Sequence, residues 1–166
     1  MSKVTNKVSK KGDLHKAIVN RVLPCFAEKL KKEGVISAYD RQPFIFRWSE
    51  DWPSVRIDPD LVLHLPDGKK ILVEVANPRD PKRFIGESVY PYLLGHFKRI
   101  SAAIVFVLHI HYERAHSRSF VQKTILSAIL KTQMKSITIS WSRNEEVNYK
   151  NLKSLLTPPS FLFQKD

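Results

Sequence analysis

The chain predicts one α/β domain, a mixed β-sheet flanked by helices, and three observations carry that reading. Residues 57–65 and 70–76, IDPDLVLHL and KILVEVA, alternate with a two-residue period around Pro66-Asp67-Gly68-Lys69, the pattern of two antiparallel strands and a tight turn. Residues 102–108, AAIVFVL, are apolar on both faces, as in a central strand covered from both sides. Helical patterns precede the hairpin and separate the later strands, which gives a layered α/β order.

The remaining elements follow in chain order. Residues 1–12, MSKVTNKVSKKG, are basic and aperiodic and are expected to form a flexible tail, with Lys10 and Lys11 placed to meet phosphates. Residues 13–166 are expected to be the single domain. Asp13 can cap a helix running to about Glu33 and ending at Gly34, with Leu14, Ile18, Val22, Phe26 and Leu30 as its core stripe. Pro24 is expected to kink or divide it. Short strands are expected at 35–38 and 43–48, followed by a loop to Pro53 and then the hairpin. Asn77-Pro78-Arg79-Asp80-Pro81-Lys82-Arg83 reads as a basic loop, broken by two prolines. A helix is expected from Phe84 to Ile100, interrupted near Pro91, with Tyr90, Leu94, Phe97 and Ile100 on its buried side. His109 and His111 leave the central strand; without a cysteine or acid cluster beside them they read as a strand-end pair aimed toward nucleic acid rather than as zinc ligands. A basic helix from Glu113 to Met134, a strand from Ser136 to Trp141 near an edge, and a short helix from Asn148 to Leu156 complete the domain. Phe161-Leu162-Phe163 is expected to pack on the core or on a second subunit, which admits a homodimer.

Composition narrows the function. The 166 residues suit one domain with a real core, and 43% hydrophobic with 27% charged residues is ordinary for a globular chain. The balance of 28 basic and 16 acidic residues is not: a net charge of +12 selects polyanions. DNA is the expected partner, with RNA second. No apolar run approaches the ~18 residues that span a bilayer, so no membrane is expected. A single cysteine, Cys25, excludes an internal disulfide and suits a cytoplasmic setting. Walker loops, dinucleotide-binding glycines, nucleophile elbows and kinase motifs are absent from the sequence.

The hairpin carries the candidate chemistry. Leu61, Leu63 and Leu65 share one face of the first strand, and Asp60, Val62 and His64 the other; Lys70, Leu72, Glu74 and Ala76 share one face of the second. One acid opens the first strand and another closes the second, so an antiparallel pairing brings Asp60 and Glu74 to one end of the hairpin. Two carboxylates that meet repel unless a cation lies between them, and hard divalent ions take such oxygen ligands. Glu74 lies in an otherwise apolar run, where an acid is costly unless paired or metal-bound.

Pro59-Asp60, a hydrophobic strand, a turn and a second strand ending in Glu74, with 74 − 60 = 14 residues between the acids, resemble the PD-(D/E)XK nuclease superfamily. The resemblance implies a restriction-endonuclease-like fold and a DNA endonuclease that uses Mg²⁺ or Mn²⁺. It makes Asp60, Glu74 and the backbone carbonyl of Val75 the metal ligands. The lysine expected two residues past the glutamate is Ala76 here; Lys82 or Lys70 would have to supply that cation, with Arg79, Lys82 and Arg83 gripping phosphates. By the same analogy Glu28, on the first helix, would approach the metal. Without a working lysine the alternative is a non-catalytic nucleic-acid-binding protein on a decayed nuclease fold.

Overall fold

Helix α1 (Gly12–Ala17) runs through a π-helical turn (Ile18–Val22) into α2 (Leu23–Lys32). The computed structural model describes residues 12–47, 49–51, 53–76, 81–108, 134–158 and 160, with the backbone alone for residues 12, 13 and 81–88. The π turn precedes Pro24, whose missing N–H cannot close an α-helical bond, and Leu23 N–H donates five residues back to the Ile18 carbonyl. Pro24 thus falls in the first turn of α2, where a proline is tolerated, and the chain stays helical through it. Asp13 lies inside the first turn of α1 rather than before it. Gly34, at φ +72°, ends α2 with Gly34 N–H donating to the Lys31 carbonyl and Val35 N–H to that of Leu30. Ile18, Val22, Phe26 and Leu30 are buried as their spacing predicts, whereas Leu14 is 48% exposed.

Strands β1 (Ala38–Asp40), β4 (Leu61–His64), β5 (Lys70–Ala76), β6 (Ala102–Val107) and β7 (Lys135–Ser140) form a five-stranded sheet in the order β1-β4-β5-β6-β7. The first two pairings are antiparallel and the last two parallel, so the sheet is mixed. Strands β2 (Phe44–Phe46) and β3 (Val55–Ile57) make a separate antiparallel pair. The first hairpin strand therefore begins at Leu61 and not at Ile57. Pro59 has no N–H to give a ladder, and Ile57 pairs with Phe44 instead. The strand expected at 35–38 is β1, displaced to 38–40.

The hairpin turn is a three-residue connection. Gly68 N–H donates to the Leu65 carbonyl, and Leu65 N–H to that of Lys69 across the turn. Gly68 takes φ +84°, the left-handed value such a turn requires of its last residue. Asp67 accepts from both the backbone and the ammonium of Lys69.

Helix α3 (Pro81–His96) starts at Pro81, so Lys82 and Arg83 lie in its first turn and not in a loop. It continues through Pro91 without interruption and stops at His96. Among the residues of α3 whose side chains are described, Pro91, Tyr92 and Leu94 are buried, while Tyr90 turns outward at 42% exposed, contrary to its expected place in the core. A tyrosine hydroxyl needs water or a partner, and Leu94 with Ile100 closes the core without it. Gly95 is a close approach: a Cβ there would come within 2.8 Å of Met134, which leads into β7. Helix α4 (Glu145–Leu156) begins three residues before the expected Asn148, because Asn144 caps it by accepting from Glu146 N–H at 2.9 Å.

The sheet separates two cores. On one face the π turn, α2 and α4 cover Leu61, Leu63, Ile71, Val73, Val75, Ile104 and Phe106. On the other, Val62, Leu72 and Ala103 meet Leu94 and Ile100, and Phe46 of β2 packs on Phe97 at 4.6 Å. Every residue of β6 is buried, as a strand covered on both sides must be. Among the described strands β7 is at the sheet edge, as its alternation suggested.

A polar contact ties α2 to α4. Tyr149 donates to Glu33 at 2.7 Å, Lys153 joins the same carboxylate at 2.9 Å, and the Lys29 ammonium lies 3.9 Å over the Tyr149 ring. The Tyr149 hydrogen bond, then that of Lys153, holds Glu33 below its ordinary value of 4.5. Burial, then Glu33, raises Tyr149 above its ordinary 10.0. A lowered acid stabilises above its ordinary pKa and loses that as pH falls through the folded value; a raised phenol stabilises below its ordinary pKa and loses that as pH rises. The stability difference between wild type and Tyr149→Phe should therefore be flat across neutral pH and shrink below about 4.5 and above about 10. Denaturant titrations across pH measure it, and a difference independent of pH would remove the linkage.

Candidate metal site at the hairpin end

The pairing of Leu61 with Val73 continues, one residue outward, to Asp60 opposite Glu74. The two acids are therefore brought to one end of the hairpin, as the alternation predicts. Two residues outward the partner of Val75 would be Pro59. The Leu65–Lys69 bond fixes the phase of the ladder, so 59 and 75 are a position at which both partners would exchange N–H and carbonyl. Pro59 has no N–H. The Asp60 carboxylate substitutes as acceptor, taking Val75 N–H on Oδ2 at 2.8 Å. The Val75 carbonyl points to the same side as its N–H, toward the end of β4, where the proline offers it no donor.

Asp60 is only 15% exposed, and Glu74 is 8% exposed in a strand otherwise apolar from Ile71 to Ala76. Ala76, in the position where the resemblance expects a lysine, is fully buried with Val105 and Val107. His15 of α1 comes to Asp60, its Nε2 3.6 Å from Oδ2, beyond hydrogen-bond range but within reach of an ion pair when the imidazole is protonated. Sequence reading did not find His15. Its only signal is a place one residue after Leu14 on the helix that packs across the strand ends.

The other named residues divide clearly. Glu28 accepts from Tyr39 of β1 at 2.7 Å, and the first-helix residue near Asp60 is His15. Lys70 is exposed and pairs across the hairpin with His64, at the turn end; four residues from Glu74 at ~3.3 Å each is about 13 Å. His64 itself meets Asp40 at 2.7 Å. The Lys82 and Arg83 backbones lie in the first turn of α3, which starts 81 − 76 = 5 residues after the last residue of β5. Lys10, Lys11, Arg79, His109 and His111, with the apolar tail at 161–163, lie outside the described residues.

Oxygen donors are what this strand end offers: the Asp60 carboxylate, the Glu74 carboxylate one position across and the Val75 carbonyl. That donor set suits a hard divalent ion. Mg²⁺ commonly takes one or two carboxylates and keeps several waters. Among the described residues no group of three or more His, Cys, Asp and Glu side chains is gathered as metal ligands, so water or substrate would complete the sphere. The class defined by this arrangement is a mixed α/β domain with an acidic strand end. Comparison with protein-family models, curated proteins and solved structures finds no match for the chain. Among the described residues no helix is long and apolar enough to cross a membrane.

Proposed function

We propose that this protein is a divalent-metal-dependent nuclease on a restriction-endonuclease-like fold, hydrolysing phosphodiester bonds in DNA, with RNA as the second substrate class. The observation that carries the reading is the Asp60 carboxylate docked on Val75 N–H, one residue past the buried Glu74. Asp60, Glu74 and the Val75 carbonyl would hold Mg²⁺ or Mn²⁺. When bound, the ion activates water and offsets charge on the scissile phosphate. The residues of this chain then have separate tasks. Asp60 is fixed by the backbone it accepts from, so little reorganisation is needed to present it. Glu74 is held by the rigid central part of the sheet. Lys82, in the first turn of α3, would supply the cation that Ala76 does not, with Arg79 and Arg83 on flanking phosphates. The start of a sixteen-residue helix adds a favourable field for phosphate there.

The net charge of +12 supports a phosphate-based grip. If Lys10, Lys11, Arg79, Lys82 and Arg83 each neutralise one phosphate of a duplex, the logarithm of affinity should fall against that of salt with a slope of roughly −4.5. Fluorescence anisotropy from 50 to 200 mM salt reads it, and a slope near zero would remove the polyanion reading. The decisive experiment is incubation with plasmid, branched and single-stranded DNA in Mg²⁺ or Mn²⁺ against EDTA. Cleavage that needs the metal supports the enzyme. Salt-dependent binding without cleavage under any metal supports the second reading, a nucleic-acid-binding protein on a decayed nuclease fold. The observation favouring that reading is Ala76, buried where the cation would stand.

A further inference from the structure

A cavity of about 500 Å³ opens between α1 with its π turn and the far ends of β6 and β7. Its apolar wall is Leu14, Ala17, Ile18, Val22 and Leu108, and its other wall is Trp141 with Arg143 and Glu145; Arg21 closes the helix side. Trp141 is anchored from behind, stacked on Phe26 at 6.2 Å and edge-on to Phe106 at 5.1 Å. The connector that carries Arg143 is also fixed. Asn148, fully buried, clamps Ser142 from both sides, accepting its N–H and donating to its carbonyl at 2.8 Å each. So an indole held by two aromatic rings, an apolar helix face and two arginines line one space of small-molecule size.

We propose that this cavity holds one unstacked nucleotide of a single strand. Its base would lie against Trp141 and the apolar helix face, with Arg21 and Arg143 on its phosphates and Glu145 accepting from an exocyclic amine. The cavity lies at the same sheet end as Asp60, because Ala76, Val107 and Ser140 are in register at the ends of β5, β6 and β7. In the plane of the sheet the β4–β5 and β6–β7 seams are two strand spacings of ~4.8 Å, or about 10 Å, apart. The cavity opens on the face of Phe106 and Trp141 while Glu74 lies on the face of Leu72, so the bound strand would cross the end of the sheet between them. Helix α1 serves both places: His15 meets Asp60, while Leu14, Ala17 and Ile18 line the cavity. The proposal rests on the reading that the protein acts on nucleic acid, and it names the substrate as single-stranded, or opened, beside the scissile bond.

The test is binding without metal. A labelled ten-nucleotide deoxycytidine strand, chosen because a carboxylate can accept from the cytosine amine, is titrated against the full chain in EDTA, beside an abasic strand of equal length. Base stacking on an aromatic residue predicts a preference for the cytidine strand of roughly 5- to 150-fold. Ala17→Phe, which fills the cavity from an exposed helix position, should abolish the preference while leaving abasic binding unchanged. Arg21→Ala with Arg143→Ala should weaken the cytidine strand at least about tenfold more than Arg41→Ala with Arg99→Ala, which removes the same charge elsewhere. Equal affinity for the two strands in wild type, or no effect of Ala17→Phe in a protein that melts normally, overturns the proposal. The two readings fail separately: metal-dependent cleavage with no base preference removes the cavity and keeps the nuclease, whereas base preference without cleavage keeps the cavity and removes the nuclease.

Discussion

Asp60→Asn should abolish metal-dependent cleavage, by about 10³-fold or more, while leaving the melting temperature within a degree or two of wild type. The two halves of this expectation have different causes. An asparagine side chain keeps a carbonyl oxygen that can accept Val75 N–H, so the hydrogen bond that closes the strand end survives. What it loses is the charge that would hold a divalent ion. Such an ion contributes several kcal/mol of transition-state stabilisation, at about 1.4 kcal/mol per factor of ten. Asp60→Ala separates the effects from the other side. It strands a part-buried backbone N–H, at a cost of about 1–3 kcal/mol, and should lower the melting point as well. Kinetics on a plasmid substrate with melting curves of both variants checks this. An active Asp60→Asn would mean that Asp60 is a strand terminator and nothing more.

The second large effect concerns the cation. Lys82→Ala should reduce cleavage by roughly 10²- to 10³-fold, the loss seen when one oxyanion donor is removed, with metal-free DNA affinity falling only a few-fold. Lys70→Ala should leave cleavage within about twofold. Lys70 is opposite His64 at the turn end, about 13 Å along the strand from Glu74, whereas Lys82 is in the helical turn that follows β5 closely. Single-turnover rates at saturating protein separate the chemical step from binding. Equal losses in both variants would mean that neither lysine has the proposed place and that the charge acts only over distance.

Much of the site's framework was legible in the residues. Alternation placed Leu61, Leu63 and Leu65 on one face and Val62 on the other, and the two cores divide them in that way. It also set Asp60 and Glu74 at one end of the hairpin, because register follows from period and turn alone. Where local signals competed, the reading slipped. Pro59 was read as part of a motif, yet its missing N–H also ends the strand, giving Ile57 to β3. Pro91 suggested a break, but α3 carries it, with Tyr92 and Leu94 buried and Tyr90 outside. The start of α4 could have been found from Asn144-Glu145-Glu146, a cap followed by acids in the first turn. His15 could not be found. Its approach to Asp60 depends on how a helix lies across a sheet, and no periodicity in either segment encodes that.

The π turn at Ile18–Val22 makes the first helix two separately indexed pieces. It holds one residue more than the α turn it replaces, and each α-helical residue advances the azimuth by about 100°. The piece that carries Leu14 and His15 is thus dialled by that amount relative to the piece that carries Phe26 and Leu30, which is keyed to the sheet. Gain or loss of a single residue here would act as a rotary selector. It would change which side chain is offered to Asp60 and which line the cavity under Trp141, while the five-stranded sheet kept its register untouched.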